Sequence, residues 1–136
     1  MVGILVVTHR RLAQELIATA ELIVGRMENC VGLSVDPDLA VEELRRQMTE
    51  AINEVDGGDG VIMLTDMFGG TPSNLSLSFL NQIGIEVVTG VNLPMLIKLA
   101  HCRENCKVDD LARLIKDYGR RSISLPTEIL TKDLEK

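Results

Sequence analysis

Aromatic residues and excess basic charge are both missing from this chain. Of its 136 residues, one is tyrosine, two are phenylalanine and none is tryptophan. Proteins that hold single-stranded nucleic acids stack the bases on aromatic rings, and this chain has almost none to offer. Its 14 Lys and Arg are outnumbered by 20 Asp and Glu, giving a net charge of −6, whereas a phosphate backbone attracts clustered basic residues. The composition therefore argues against nucleic acid as a partner.

Long hydrophobic runs and paired cysteines are missing as well. No apolar run reaches the length of about eighteen residues that a membrane-spanning helix needs. The first run, Val2 to Val7, has no basic residues before it and no cleavage pattern after it, which argues against a signal peptide. The three cysteines are odd in number and scattered, unlike a disulfide framework. We expect a cytoplasmic protein without direct membrane insertion.

Alternating periodicities are what the chain does contain. Short runs rich in β-branched residues alternate with segments whose apolar residues recur at helical spacing. The predicted strands are Gly3 to Thr8, Val31 to Val35, Val61 to Thr65 and Ile85 to Thr89. The predicted helices are Leu12 to Val24, Leu39 to Val55, Ser73 to Gln82, Pro94 to Cys102 and Asp109 to Tyr118.

This alternation predicts an α/β fold with a parallel sheet covered by helices on both faces. The expected strand order is 2-1-3-4, as in flavodoxin-like folds. A length of 136 residues suits one domain, 1–136, with a core over 1–122 and a tail over 123–136. Within that tail region, Ser122 to Leu125 suggests a short strand and Glu128 to Lys136 a charged extension.

A histidine and an aspartate each follow a predicted strand. His9 ends the first strand and Asp66 follows the third, and in an open parallel sheet these two strands usually lie side by side. We therefore expect His9 to lie beside Asp66. A carboxylate that accepts a hydrogen bond from one imidazole nitrogen fixes the tautomer, which leaves the other nitrogen as a nucleophile or general base.

The residues after Asp66 predict an anion-binding turn. Gly69, Gly70, Thr71 and Ser73 carry little side-chain bulk and lead into a helix, so backbone N–H groups can converge on a phosphate. A histidine, an orienting aspartate and this turn together indicate phosphoryl chemistry. No metal site is predicted, because His101, Cys102 and Cys106 are crowded together without a fourth ligand.

Three segments carry a resemblance to a known family. They are Thr8-His9, the stretch from Leu64 to Asn74, and the stretch from Gly90 to Leu96. In this order they resemble the IIA component of the mannose family of the bacterial sugar phosphotransferase system (PTS), over Met1 to about Ser122. The resemblance is more specific than any one motif alone.

That resemblance implies a phosphocarrier, with His9 as phosphoacceptor, Asp66 as its orienting partner and the turn from Gly69 to Ser73 as the phosphate cradle. It implies the phosphocarrier protein HPr as donor, a IIB component as acceptor, and no cofactor. It also implies a homodimer in which a carboxyl-terminal strand crosses to the partner's sheet.

Two positions depart from the family pattern. Most members follow the active histidine with glycine, where this chain has Arg10, a cation that either holds the phosphoryl group or restricts the docking partner. Phe68 stands where tryptophan is usual, which keeps an apolar contact and loses the indole donor.

Other functions remain to be weighed. A receiver domain needs an acidic pair after the first strand, where this chain has Thr8-His9, and a hydrolase needs a nucleophile that no motif supplies. Two alternatives stay open: a regulatory phosphoprotein of the same family that moves no sugar, and a phosphocarrier subunit of a dihydroxyacetone kinase.

Overall fold

The computed structural model describes the backbone of residues 1–135 and the side chains of residues 1–130. The strands are β1 (Gly3–His9), β2 (Cys30–Val35), β3 (Val61–Thr65) and β4 (Ile85–Thr89). The helices are α1 (Leu12–Val24), α2 (Val41–Val55), α3 (Thr71–Leu77), α4 (Leu93–Cys102), α5 (Val108–Arg121) and α6 (Pro126–Glu135). None of these described helices has the length and apolar composition that crossing a bilayer requires.

The sheet has the predicted topology. Its four strands are parallel in the order β2-β1-β3-β4, which confirms the order 2-1-3-4. The register pairs Val7 of β1 with Thr65 of β3, so the two strands end together. The residues that follow these two positions therefore meet at one edge of the sheet.

Alternate residues of β1 serve two separate cores, because successive side chains of a strand point to opposite faces. Ile4 and Val6 pack in the cluster built with α1, α4 and α5, whereas Leu5 and Val7 pack with α2 and α3. By the same alternation, Thr8 belongs to the α1 face, where its hydroxyl accepts a hydrogen bond from the Ala13 N–H at 2.8 Å. His9 then falls on the face where α3 begins.

Helix α3 is shorter than the predicted span of Ser73 to Gln82. It ends at Leu77, and the chain continues through turns in which the N–H groups of residues 78, 79 and 80 bond three residues back. Serine hydroxyls compete here for helix carbonyls: Ser76 Oγ donates to Pro72 O at 2.7 Å and Ser78 Oγ to Leu75 O at 2.6 Å. Such back-bonding weakens a short helix and favours its early end.

The predicted short strand from Ser122 to Leu125 is wrong for the single chain. Ser122 closes α5 by donating its N–H to Tyr118 O at 3.0 Å, and Pro126 then begins α6 where an irregular charged tail was predicted. Proline suits a first helical position because its missing N–H is not needed there, whereas a strand needs a neighbouring edge. Exchange of a strand with a partner chain stays a prediction, and Lys136 lies outside the described residues.

Candidate functional site

His9 and Asp66 form a hydrogen-bonded pair at the carboxyl edge of the sheet. The His9 Nδ1 atom lies 2.8 Å from Asp66 Oδ2, and the His9 backbone N–H donates to the same oxygen at 3.0 Å. The other carboxylate oxygen accepts the Met67 N–H at 3.0 Å. The His9 side chain is 53% exposed and that of Asp66 only 12%. The carboxylate is therefore held under an imidazole that faces solvent.

The surroundings of Asp66 keep it ionised. Partial burial acts to raise the pKa of Asp66, but the hydrogen bonds from the His9 backbone and ring, together with the Met67 N–H, bring that pKa below its ordinary value. An ionised carboxylate only accepts hydrogen bonds, so a neutral His9 must carry its proton on Nδ1. The lone pair of Nε2 is then free.

Gly70 lies against the imidazole edge that carries this lone pair. A Cβ at residue 70 would be 2.9 Å from His9 Cε1 and 3.5 Å from Nε2, so any side chain there would displace the ring. The neighbouring Gly69 has a φ of +90°, which glycine adopts far more readily than other residues. The turn therefore needs one glycine for close approach and the other for its backbone shape.

The other two residues of the predicted cradle differ in accessibility. Thr71 opens α3 and is exposed, whereas Ser73 is completely buried. The Ser73 hydroxyl has no hydrogen-bond partner within the described part of the chain. The accessible members of the cradle are thus Gly69, Gly70 and Thr71, and a phosphate contact from Ser73 stays a prediction.

Thr65 is a site-supporting residue that the sequence patterns did not single out. Its carbonyl oxygen accepts the N–H groups of Gly90 and Val91, each at 2.9 Å, which fastens the loop after β4 to the strand that carries Asp66. That loop continues to Asn92, whose side chain accepts the Met95 N–H at 3.1 Å at the start of α4. A carbonyl acceptor has no side-chain signal, so only the tertiary structure identifies it.

Clefts and metal clusters do not point to this site. A groove of about 720 Å³ lies at the opposite, amino end of the sheet, lined by Met1, Gly60 and Arg103 among others. Among the described residues, no three His, Cys, Asp or Glu side chains come together as metal ligands. What the carboxyl edge offers is an oriented imidazole beside a glycine turn, an arrangement suited to nucleophilic attack on a phosphoryl group.

Known proteins share this sequence and fold. Residues 3–116 match the family model EIIA-man, described as PTS system fructose IIA component. YadI of Escherichia coli K12, a candidate phosphotransferase enzyme IIA component, is 31% identical over 125 residues, covering 91% of this chain and 86% of YadI. The mannose-specific EIIAB component of the same strain is 31% identical over 124 residues, covering 90% of this chain but only 38% of that longer protein.

A solved structure agrees with these matches. The phosphotransferase system component EIIA from Streptococcus agalactiae superposes with a TM-score of 0.84 at 26% identity, covering 94% of this chain and 99% of that one. The family model alone spans most of the chain. The chain therefore belongs to the EIIA-man family and is a IIA component of the mannose family of the sugar phosphotransferase system.

Proposed function

We propose that this chain is a phosphocarrier that takes a phosphoryl group from HPr onto His9 and passes it to a IIB component. The observation that carries the proposal is the His9 and Asp66 pair, with Nδ1 bound to the carboxylate at 2.8 Å and the imidazole 53% exposed. Membership of the PTS IIA family supports the reaction class. A phosphohistidine intermediate is the chemistry that this exposed, oriented ring suits.

The transfer step runs between two imidazoles. The lone pair of His9 Nε2 forms the new bond to phosphorus while the bond from phosphorus to the donor imidazole breaks, and the donor nitrogen keeps that electron pair. The transition state is loose and close to metaphosphate, so catalysis rests on positioning and on electrostatics. The proton on Nδ1 stays in place, and Asp66 stabilises the positive charge that develops on the ring.

The glycine turn supplies donors for the phosphoryl oxygens. The first N–H groups of a helix have no partners within that helix, and α3 begins at Thr71, directly after Gly70. Because Gly70 lies against the Cε1 edge of the ring, backbone N–H groups at this turn lie close to Nε2. Oriented backbone donors of this kind stabilise charge as it spreads over three oxygens.

The surface around His9 favours a macromolecular donor. The side chains of Met67 and Phe68 are 55% and 72% exposed in the loop that follows Asp66. Exposed apolar groups beside a reactive residue are typical of protein interaction sites. HPr and the IIB component would use this surface in turn, each with its own histidine or other acceptor opposite Nε2.

We also propose a homodimer with exchanged carboxyl-terminal segments. Strand β4 ends the sheet, and a groove of about 340 Å³ runs beside it, lined by residues 86–89 of β4 and by Ala112 and Lys116 of α5. The exposed Ile123 and Leu125 lie in the segment that would reach a partner. Truncation after Ser122, which keeps α5, should lower the mass measured by light scattering. Equal monomeric masses would contradict the exchange.

The cysteines fit the cytoplasmic location that the proposal requires. Cys30, Cys102 and Cys106 are all free thiols. Free thiols persist in a reducing compartment, which is where phosphoenolpyruvate and HPr operate in this proposal.

The decisive experiment is reconstitution of the phosphoryl relay. The protein is incubated with phosphoenolpyruvate, enzyme I and HPr, and intact-mass spectrometry then looks for one added phosphoryl group. We expect a form that is labile in acid and stable in alkali, as a phosphoramidate is. An alkali-labile acyl phosphate on Asp66, or no labelling at all, would contradict the proposal.

A further inference from the structure

Arg10, directly after the proposed phosphoacceptor, has a left-handed backbone. Its φ is +47°, and the other described non-glycine residues with positive φ are Asn29 and Asn105. Asparagine tolerates this region because its short side chain can bond the local backbone, but arginine has no such compensation. The conformation costs free energy that the fold must recover elsewhere.

No internal contact of Arg10 explains why the chain accepts this cost. Its side chain is exposed, and no ion pair or hydrogen bond of its guanidinium occurs in the described part of the chain. Arg46, by contrast, pairs with Glu43 and Glu50 on α2, and Arg113 pairs with Asp110 on α5. Arg10 thus keeps an uncommitted charge in a chain of net charge −6.

The nearest carboxylates on neighbouring strand ends are already engaged. Asp36 follows Val35, the register partner of His9, and its Oδ1 accepts the Asp38 N–H at 2.9 Å within its own turn. Asp66 accepts three hydrogen bonds from His9 and Met67. Arg11, the other cation of this turn, is likewise exposed and precedes α1 without a side-chain capping bond.

We propose that Arg10 is the charge partner of the phosphoryl group on His9 and sets how far the transfer equilibrium lies toward this protein. The inference rests on the proposed function. A phosphoryl group adds a charge between about −1.5 and −2 next to this cation, and a guanidinium matches its oxygens with paired N–H donors. The left-handed turn keeps residue 10 outside α1 and beside the site.

The expected effect follows from Coulomb's law. Two unit charges near contact attract in water by an amount equal to about a fivefold change in an equilibrium constant, and the phosphoryl charge is larger than one. Removing the charge at residue 10 should therefore lower the phosphorylated fraction at equilibrium with phospho-HPr by roughly three- to tenfold in the transfer constant. The difference should shrink as salt screens the pair.

The test compares matched variants at several salt concentrations. Arg10→Gln removes the charge and keeps the backbone, Arg10→Lys keeps the charge, and Arg45→Gln removes an exposed charge from α2 away from the site. Intact-mass spectrometry gives the phosphorylated fraction of each protein against phospho-HPr. We expect a loss for Arg10→Gln, partial retention for Arg10→Lys and no change for Arg45→Gln. Equal, salt-independent constants for Arg10→Gln and wild type would overturn the inference.

The backbone cost gives a second readout. Arg10→Gly should raise the midpoint of thermal unfolding by roughly 2 to 4 °C, because glycine adopts this φ without strain, while it loses phosphoryl retention as Arg10→Gln does. A midpoint below that of wild type would mean that Arg10 makes stabilising contacts of its own, which would overturn the inference.

A small-molecule donor separates this inference from the proposed function. Phosphoramidate transfers its phosphoryl group to accessible imidazoles without any protein partner, so His9 is labelled chemically and its hydrolysis rate is then followed. Faster hydrolysis in Arg10→Gln than in wild type supports the Arg10 contact even if HPr proves not to be the donor. Equal hydrolysis rates with normal labelling by HPr would overturn the Arg10 contact alone.

Discussion

The two ends of the parallel sheet treat their polar groups in opposite ways. At the amino end, Arg103 is 3% exposed and donates to the backbone carbonyls of Glu28 and Asn29. Burial there raises the pKa of the Cys30 thiol to about 12, with Arg103 acting against the rise. At the carboxyl end, His9 is 53% exposed with a free ring nitrogen. One end binds its polar groups internally, and the other presents them to solvent.

The difference teaches that concavity does not mark the functional end of this molecule. The groove of about 720 Å³ lies at the amino end, beside polar groups that the fold has already paired. A small substrate needs a cavity that surrounds it, but a phosphoryl group carried on another protein needs a nucleophile that it can reach. Chemistry at an open edge is therefore what a phosphocarrier requires.

The comparison is broken most completely by His9→Ala. Phosphorylation by phospho-HPr should disappear, because no other group supplies the attacking nitrogen. The unfolding free energy should change by no more than about 0.5 kcal/mol, since the side chain is largely exposed. Intact-mass spectrometry and thermal unfolding measure the two effects. Retained labelling would show that the acceptor lies elsewhere.

Asp66→Asn should slow the reaction without abolishing it. An amide offers Nδ1 either a donor or an acceptor, so the tautomer is no longer fixed and the charged ring loses its counter-ion. By analogy with orienting aspartates elsewhere, the rate should fall between about tenfold and ten-thousandfold, or roughly 1.4 to 5 kcal/mol of barrier. Rapid-quench kinetics with phospho-HPr measure this. An unchanged rate would mean that the pair has no role in transfer.

Gly70→Ala tests the close approach at the same end. Its φ is −85°, which alanine adopts freely, but the new Cβ would lie 2.9 Å from His9 Cε1 and push the ring away. Displacement of a reacting group by about 1 Å can cost about a hundredfold in rate. Stability should change little.

Gly69→Ala is the matched control for that variant. A Cβ there meets nothing within 4 Å, but φ is +90°. We expect a loss of about 1 kcal/mol of unfolding free energy with a smaller loss of rate. If both alanine variants lost stability equally and kept their rates, the packing of Gly70 against His9 would be irrelevant to function.

Arg103→Met sharpens the contrast from the amino end. Methionine keeps much of the apolar stem but leaves the carbonyls of Glu28 and Asn29 without their charged donor. Loss of such bonds should cost about 1.5 to 3 kcal/mol of stability, measured by urea unfolding. Phosphorylation of the folded variant should match wild type. A large loss of rate at full stability would show that the two ends are coupled.

The smallest expected effect is the acid dependence of the Asp66 contribution. The folded protein holds the pKa of Asp66 below its ordinary value, so folding favours the ionised form. The stability gained from this is fully present above the ordinary pKa of about 4 and is lost as pH falls through the lowered folded value. The difference in unfolding free energy between wild type and Asp66→Asn should therefore diminish below about pH 4. A constant difference down to pH 2 would contradict this assignment.

The sequence by itself determined the strand order and the pairing of His9 with Asp66. Continuous β-branched runs such as Gly3 to Thr8 and Val61 to Thr65 specify strands buried on both faces, and short connections leave few topologies. Parallel strands end at a common edge, so residues at two strand ends meet there whatever the details of packing. The order β2-β1-β3-β4 and the 2.8 Å contact agree with that reasoning.

The tertiary structure alone decided which imidazole nitrogen is free, the burial of Ser73 and the left-handed turn at Arg10. It also ended α3 early and made residues 126–135 a helix. These features depend on angles and on competing local hydrogen bonds, which differ by small energies that no periodicity records. The pattern of apolar residues fixes which segments pack together, whereas the orientation of a polar group is settled only by the neighbours that the packing brings to it.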